Sequence, residues 1–281
     1  MTGHALRLDP DGRDLAAVRG GTPGGRRVLA LHGWLDNAAS FAPLAAQLPQ
    51  YDWVALDFAG HGQSAHRPPH GWYPLLDHLD DVAAALRDLG WDRCTLVGHS
   101  MGGAVASVFA AAWPERVERL VMIESAGPVS RRRTGALEQL RTALREREDY
   151  DPQRRRVFPD ARSAIAARRQ AGGLSEPVAR LLMERNLVDT ADGVALRIDA
   201  RLRISSASRF EEDTVLAWLR GIACPTLAIA ADPPFVAFDP QVRAQRLACI
   251  ADIRVVELPG NHHLHMENPA PVAAAIRTFL D

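Results

Sequence analysis

Six short runs rich in aliphatic residues recur along the chain, most of them separated by a helical pattern, and this rhythm restricts the fold more than any other feature of the sequence. The runs cover 26–31, 53–57, 94–98, 119–123, 225–230 and 253–258. They are continuous rather than alternating, as strands buried on both faces are. Helical patterns cover 38–48, 75–89, 102–113, 240–250 and 269–280. Strand alternating with helix predicts an α/β architecture, a mostly parallel sheet with helices on both faces. Two weaker segments, 5–8 and 14–19, are expected to add an antiparallel pair at one edge.

The rhythm stops between 127 and 217, where no strand pattern stands out and helical stretches cover 135–148, 161–170 and 176–186. The expected organisation is a core formed by 1–126 and 218–281, with 127–217 inserted as a helical cap over the carboxyl edge of the sheet. That insert holds 18 arginines against 14 acidic residues, whereas the whole chain carries a net charge of -1. A charge run is most often a solvated face; the competing reading is that these arginines attract an acidic substrate. All 33 basic residues are arginine, which fits a bias in the coding sequence better than selection for a ligand.

The near-neutral balance points away from nucleic acid. No stretch approaches the roughly 18 apolar residues that span a bilayer, and the first residues lack the apolar centre of a signal peptide. The expectation is a cytoplasmic protein with no membrane insertion. Cys94, Cys224 and Cys249 are odd in number and lack metal-ligand spacing, so they are expected to be reduced core residues. No metal and no cofactor are expected, because neither a metal-type cluster nor a dinucleotide-type glycine loop is present in the sequence.

The chemistry gathers at Gly98-His99-Ser100-Met101-Gly102. This is the G-x-S-x-G pattern, preceded here by a buried strand and followed by an alanine-rich helix, the context that gives the motif meaning. In such a turn the serine is lifted above the sheet, and small neighbours let strand and helix approach closely. Ser100 is therefore the candidate nucleophile, and it needs a base to take its proton.

With these residues the chain resembles the α/β-hydrolase superfamily, specifically its serine-hydrolase-like branch. The resemblance covers nearly the whole chain outside the insert, and His32-Gly33-Trp34-Leu35-Asp36-Asn37-Ala38 points to the narrower branch. It implies an oxyanion hole formed by the backbone N–H groups of Trp34 and Met101. The stretch from Pro259 to Pro269 resembles the family's histidine-bearing loop, which implies His262 as the base, with His263 as runner-up and His265 as a hydrogen-bonded structural residue. Asp57 resembles a turn-capping aspartate, and His61 and His99 resemble residues that shape the turn and the elbow.

Two positions remain open for the acid that orients His262. Asp232 ends the run 225–231, the commoner location in the superfamily, although Pro233 and Pro234 replace its usual neighbours. Glu124 ends the preceding core strand and has one more methylene of reach; it is preferred. The implied activity is hydrolysis of a small carboxylic ester through an acyl-enzyme, the partner being a small ester-like molecule. Thioester, lactone, amide or carbon–carbon hydrolysis and perhydrolysis would use nearly the same residues, and a non-catalytic ligand receptor is the alternative from another class. Serine rather than aspartate at the elbow argues against dehalogenation and epoxide hydrolysis.

Overall fold

The computed structural model describes residues 3–130, 135–152, 155–234 and 239–281. An eight-stranded sheet forms the centre. Its strands are β1 (His4–Leu8), β2 (Leu15–Gly21), β3 (Arg27–Leu31), β4 (Asp52–Leu56), β5 (Cys94–His99), β6 (Val117–Ile123), β10 (Thr226–Asp232) and β11 (Ile253–Pro259). They lie in the order β1-β2-β4-β3-β5-β6-β10-β11. β2 pairs antiparallel with β1 and with β4; every other pairing is parallel.

The two faces explain why the strand runs are continuous. Leu29 and Leu31 of β3 point into one apolar cluster with Leu96 and the helices α2 (Asp77–Asp88) and α3 (Met101–Ala112). Val28 and Ala30 point into the opposite cluster, against α1 (Ala42–Ala46) and α10 (Pro269–Leu280). Successive side chains of a strand face opposite ways, so a sheet covered on both sides needs apolar residues at every position.

Residues 127–217 hold α4 (Ala136–Glu148), α5 (Ala161–Gly172) and α6 (Glu176–Asn186), but they also hold strands. β7 (Val157–Phe158), β8 (Leu187–Thr190) and β9 (Gly193–Leu196) form a small antiparallel sheet. Strands of two to four residues are too short to show a period, which is why none was expected there. Phe158, Ile165, Leu174, Val178, Leu182 and Met183 build a third apolar cluster, closed by Met266 from the core. The boundary expected at 217 falls inside α7 (Glu212–Arg220), whose Val215 and Leu219 join the main core.

The insert is tied to the sheet edge by polar contacts. The Arg185 guanidinium meets the fully buried Asp57 carboxylate at 2.7 Å. Asn37 Nδ2 donates to the Leu182 carbonyl at 2.8 Å, and Trp34 Nε1 to that of Leu202 at 3.0 Å. Asp57 also accepts the Ala38 and Gln63 amides at 2.6 and 2.8 Å, so one carboxylate fastens two loops of the sheet edge and a helix of the insert. Helix α8 (Pro240–Leu247) and the short α9 (Leu264–Glu267) complete the order. Among the described residues no helix is long and apolar enough to cross a membrane. Cys94 and Cys224 are buried thiols and Cys249 is partly exposed.

Candidate active site

The candidate residues leave the carboxyl ends of neighbouring strands. β5 ends at His99, and Ser100 turns the chain into α3 with φ 51° and ψ −114°. A positive φ is costly for a residue with a side chain and persists where the surroundings enforce it. Here the Ser100 amide donates to the Ile123 carbonyl at 2.9 Å, and the Ser100 carbonyl accepts the Ala104 amide at 3.0 Å. A Cβ on Gly98 would stand 2.4 Å from the Gly102 oxygen, and one on Gly102 would stand 1.9 Å from the Leu31 oxygen. The two glycines are what allow strand, turn and helix to close on each other.

Glu124, the residue after β6, has φ 52°. Of five non-glycine residues with positive φ among those described, three (Leu35, Ser100 and Glu124) stand at this site, so the strain is concentrated where the chemistry is expected. The Glu124 amide donates to the Ile229 carbonyl at 2.8 Å. Its side chain is buried, with Oε1 accepting the Ala231 amide at 2.6 Å and Oε2 lying 3.1 Å from His262 Nδ1. Arg246 on α8 steadies the segment that follows by donating to the Pro128 carbonyl at 2.7 Å while paired with Glu212.

Asp232 stands elsewhere. It ends β10 as an exposed residue, opposite Pro259 of β11. Its carbonyl accepts the Gly260 amide at 3.1 Å, and among the described residues its carboxylate has no ion-pair partner. Of the two carboxylates, the structure brings Glu124 to His262.

Four histidine rings pack beneath the elbow. His99, whose ring centroid lies 4.8 Å from that of His262 and 4.2 Å from that of His265, donates from Nε2 to the His262 carbonyl at 2.7 Å. Burial, reinforced by the neighbouring imidazoles, holds His99 well below the usual histidine range, so it acts as a neutral donor that fixes the His262 backbone. His263 Nε2 lies 3.3 Å from Asp36 Oδ2, and Arg168 of the insert meets Asp36 Oδ1 at 2.6 Å. Burial alone would raise the Asp36 carboxyl; the His263 bond and the Arg168 charge outweigh it and keep that group well below the carboxylate range. His263 is thus engaged away from Glu124.

His265 was expected to be hydrogen-bonded. It is fully buried against Phe41, and neither ring nitrogen has a partner among the described residues. Burial pushes its ring down to about 3. His61 is buried beside His32, whose Nε2 accepts the Phe58 amide at 3.1 Å.

A cavity of about 550 Å³ opens above the elbow, lined by Ser100, His262 and Trp34 from the core and by Phe158, Met183 and Ile198 from the insert. Among the described residues the Trp34 and Met101 amides donate to no protein acceptor. Arg156, Arg168 and Arg203 also line the cavity. No cluster of three or more histidine, cysteine or acidic side chains among the described residues is arranged to hold a metal ion. The Asp36–Arg168 and Asp57–Arg185 pairs had no signature in the sequence: their partners are more than a hundred residues apart and of ordinary surface type.

The family profile described as alpha/beta hydrolase fold matches residues 26–269. A Drosophila melanogaster protein named "Probable serine hydrolase" is 34% identical over 265 residues, which are 90% of this chain and 80% of that protein. The serine hydrolase-like protein of Danio rerio is 33% identical over 267 residues, 91% of this chain and 82% of its own length. Among solved structures, a hypothetical protein from Pseudomonas aeruginosa PAO1 superimposes with a TM-score of 0.91 at 38% identity, covering 98% of this chain and 97% of that one.

Proposed function

The chain belongs to the α/β-hydrolase fold family, and on that premise we propose that it is a serine hydrolase that cleaves a small carboxylic ester through an acyl-enzyme. The observation that carries this reading is the His262–Glu124 contact of 3.1 Å beside a strained Ser100 that lines the same cavity. The Glu124 carboxylate receives Nδ1–H and thereby leaves Nε2 as the basic nitrogen.

Ser100 Oγ adds to the ester carbonyl as His262 Nε2 takes its proton. The carbonyl oxygen becomes an oxyanion held by the Trp34 and Met101 amides, donors that have no competing acceptor among the described residues. Collapse breaks the bond to the alcohol oxygen, which leaves with the proton from His262. Water then adds to the acyl-enzyme, again losing a proton to His262, and Ser100 is restored as the acid departs. Glu124 keeps its charge throughout and steadies the imidazolium.

The test is covalent labelling followed by kinetics. A fluorophosphonate should modify Ser100 and no other residue, and Ser100→Ala should lower kcat on a short-chain nitrophenyl ester by about 10⁴–10⁶. An unlabelled Ser100 would instead support a non-catalytic receptor.

A further inference from the structure

Arg156, Arg168 and Arg203 come from three separate segments of the insert, and all line the cavity that holds Ser100 and His262. Each is positioned by contacts of its own segment. Arg203 ends the short turn Ala200–Arg203, in which Asp199 accepts the Arg201 amide at 2.9 Å. The residue before it, Leu202, accepts Trp34 Nε1 at 3.0 Å, which sets Arg203 beside the loop expected to bind the oxyanion. Arg168 reaches the same loop through Asp36 at 2.6 Å. The Arg156 guanidinium lies 4.6 Å from the ring centroid of Phe158.

The charges in this wall are not balanced. Asp36 compensates Arg168, but among the described residues no carboxylate pairs with Arg156 or Arg203. Arg203 is an exposed residue whose guanidinium is only partly desolvated; that partial burial and the repulsion of Arg156 and Arg168 hold it below the usual arginine range. Three arginines with nearly buried side chains are neutralised, Arg185 by Asp57, Arg201 by Asp199 and Arg246 by Glu212, whereas Arg156 and Arg203 keep exposed surface at the cavity. Two guanidinium groups lining the cavity of the nucleophile, with no acid paired to them among the described residues, form a site where an anion would relieve like-charge repulsion and accept forked hydrogen bonds.

We propose that the cavity takes an ester bearing a separate carboxylate or phosphate group, and that Arg203 and Arg156 bind this anion while Ser100 attacks the uncharged ester carbonyl. This rests on the hydrolase reading above and adds its substrate class. The anionic group is bound and unchanged; water is the only other reactant.

The experiment compares three nitrophenyl esters of similar acyl length: pentanoate, hemiglutarate and 4-phosphonobutanoate. Wild-type kcat/KM should favour at least one anionic ester by about tenfold to hundredfold at low salt, the range expected for hydrogen bonds to a charged group. The preference should shrink at high salt. Arg203→Gln and Arg156→Gln should each reduce kcat/KM more for the anionic than for the neutral ester, and Arg203→Lys should retain part of the preference. Which anion is favoured distinguishes carboxylate from phosphate; equal kcat/KM for all three in the wild type would overturn the proposal.

Binding of the same esters to Ser100→Ala separates this result from failure of the hydrolase reading. Tighter binding of an anionic ester, weakened when Arg203→Gln is added, would support the subsite even if the wild type turned over none of them. Turnover with no anionic preference in rate or binding would leave the hydrolase and remove the subsite.

Discussion

Glu124 leaves β6 with a positive φ and divides its carboxylate between the Ala231 amide and His262, whereas Asp232 is exposed at the end of β10. Glu124→Gln preserves the shape and removes the charge that, in the proposed mechanism, steadies the imidazolium. It is expected to lower kcat by about 10³–10⁴, as neutralising a triad acid does. Asp232→Asn should change kcat little, because nothing ties that carboxylate to His262. Steady-state kinetics on one ester decide between them, and the reverse ranking would assign the acid to Asp232. At the elbow, Gly102→Ala would drive a methyl group to 1.9 Å from the Leu31 carbonyl. Backbone must shift to accept it, so the variant should lose about 1–3 kcal/mol along with most activity. A fold and rate like those of the wild type would show that the helix and β3 can separate.

At the scale of elements, the insert is held to the core through charges as well as through apolar packing. Helix α6 delivers Arg185 to the buried Asp57, and α5 delivers Arg168 to the buried Asp36. Removing one partner of such a pair leaves the other charge buried and uncompensated, at a cost of about 3–5 kcal/mol. Arg185→Leu is therefore expected to reduce stability on that scale in denaturant titration. Combining it with Asp57→Asn should cost less than the two separate losses added together, since the double change leaves no orphaned charge. Strict additivity would mean that Asp57 acts through its backbone bonds to Ala38 and Gln63 alone.

Across the whole molecule, His32, His61, His99 and His265 are buried and held below the ordinary histidine range, each chiefly by burial. A histidine with a lowered native pKa is neutral in the folded protein and charged in the unfolded chain once the pH falls below about 6.5. Protonation then favours the unfolded state, and stability declines with acidification until the native value is reached. For His265, pushed down to about 3, the loss at pH 5 is about 2 kcal/mol. The Asp36 carboxyl, lowered by its partners, contributes stability above its unfolded pKa and loses it as the pH falls through its native one, so it adds its loss only in stronger acid. The expected result is a Tm that drops steeply between pH 7 and pH 5 and drops less in His265→Leu. Equal slopes in the two proteins would mean that the buried imidazoles become protonated without unfolding.

Local patterns were enough to read the sheet, its helices and the elbow. The continuous apolar runs of β3, β4, β5, β6 and β10 are covered on both faces, whereas the run at 253–258 forms the largely exposed edge strand β11. Gly98 and Gly102 admit a close approach that larger residues would block. The candidate His262 was read from the family-like loop that follows the last strand, and the fold sets that ring against Glu124. The short strands β7 to β9 were not legible, since two to four residues carry no period. Two strand ends offered Glu124 and Asp232, and reach favoured Glu124 without fixing where either carboxylate lies. Only the tertiary structure sets Glu124 between the Ala231 amide and His262 and leaves Asp232 exposed. The same holds for Arg156, Arg168 and Arg203: in the sequence they are three among 18 arginines of a basic insert. Whether a guanidinium is solvated, paired or turned into a cavity depends on contacts between segments far apart in the chain, and those exist only once the insert has folded over the sheet.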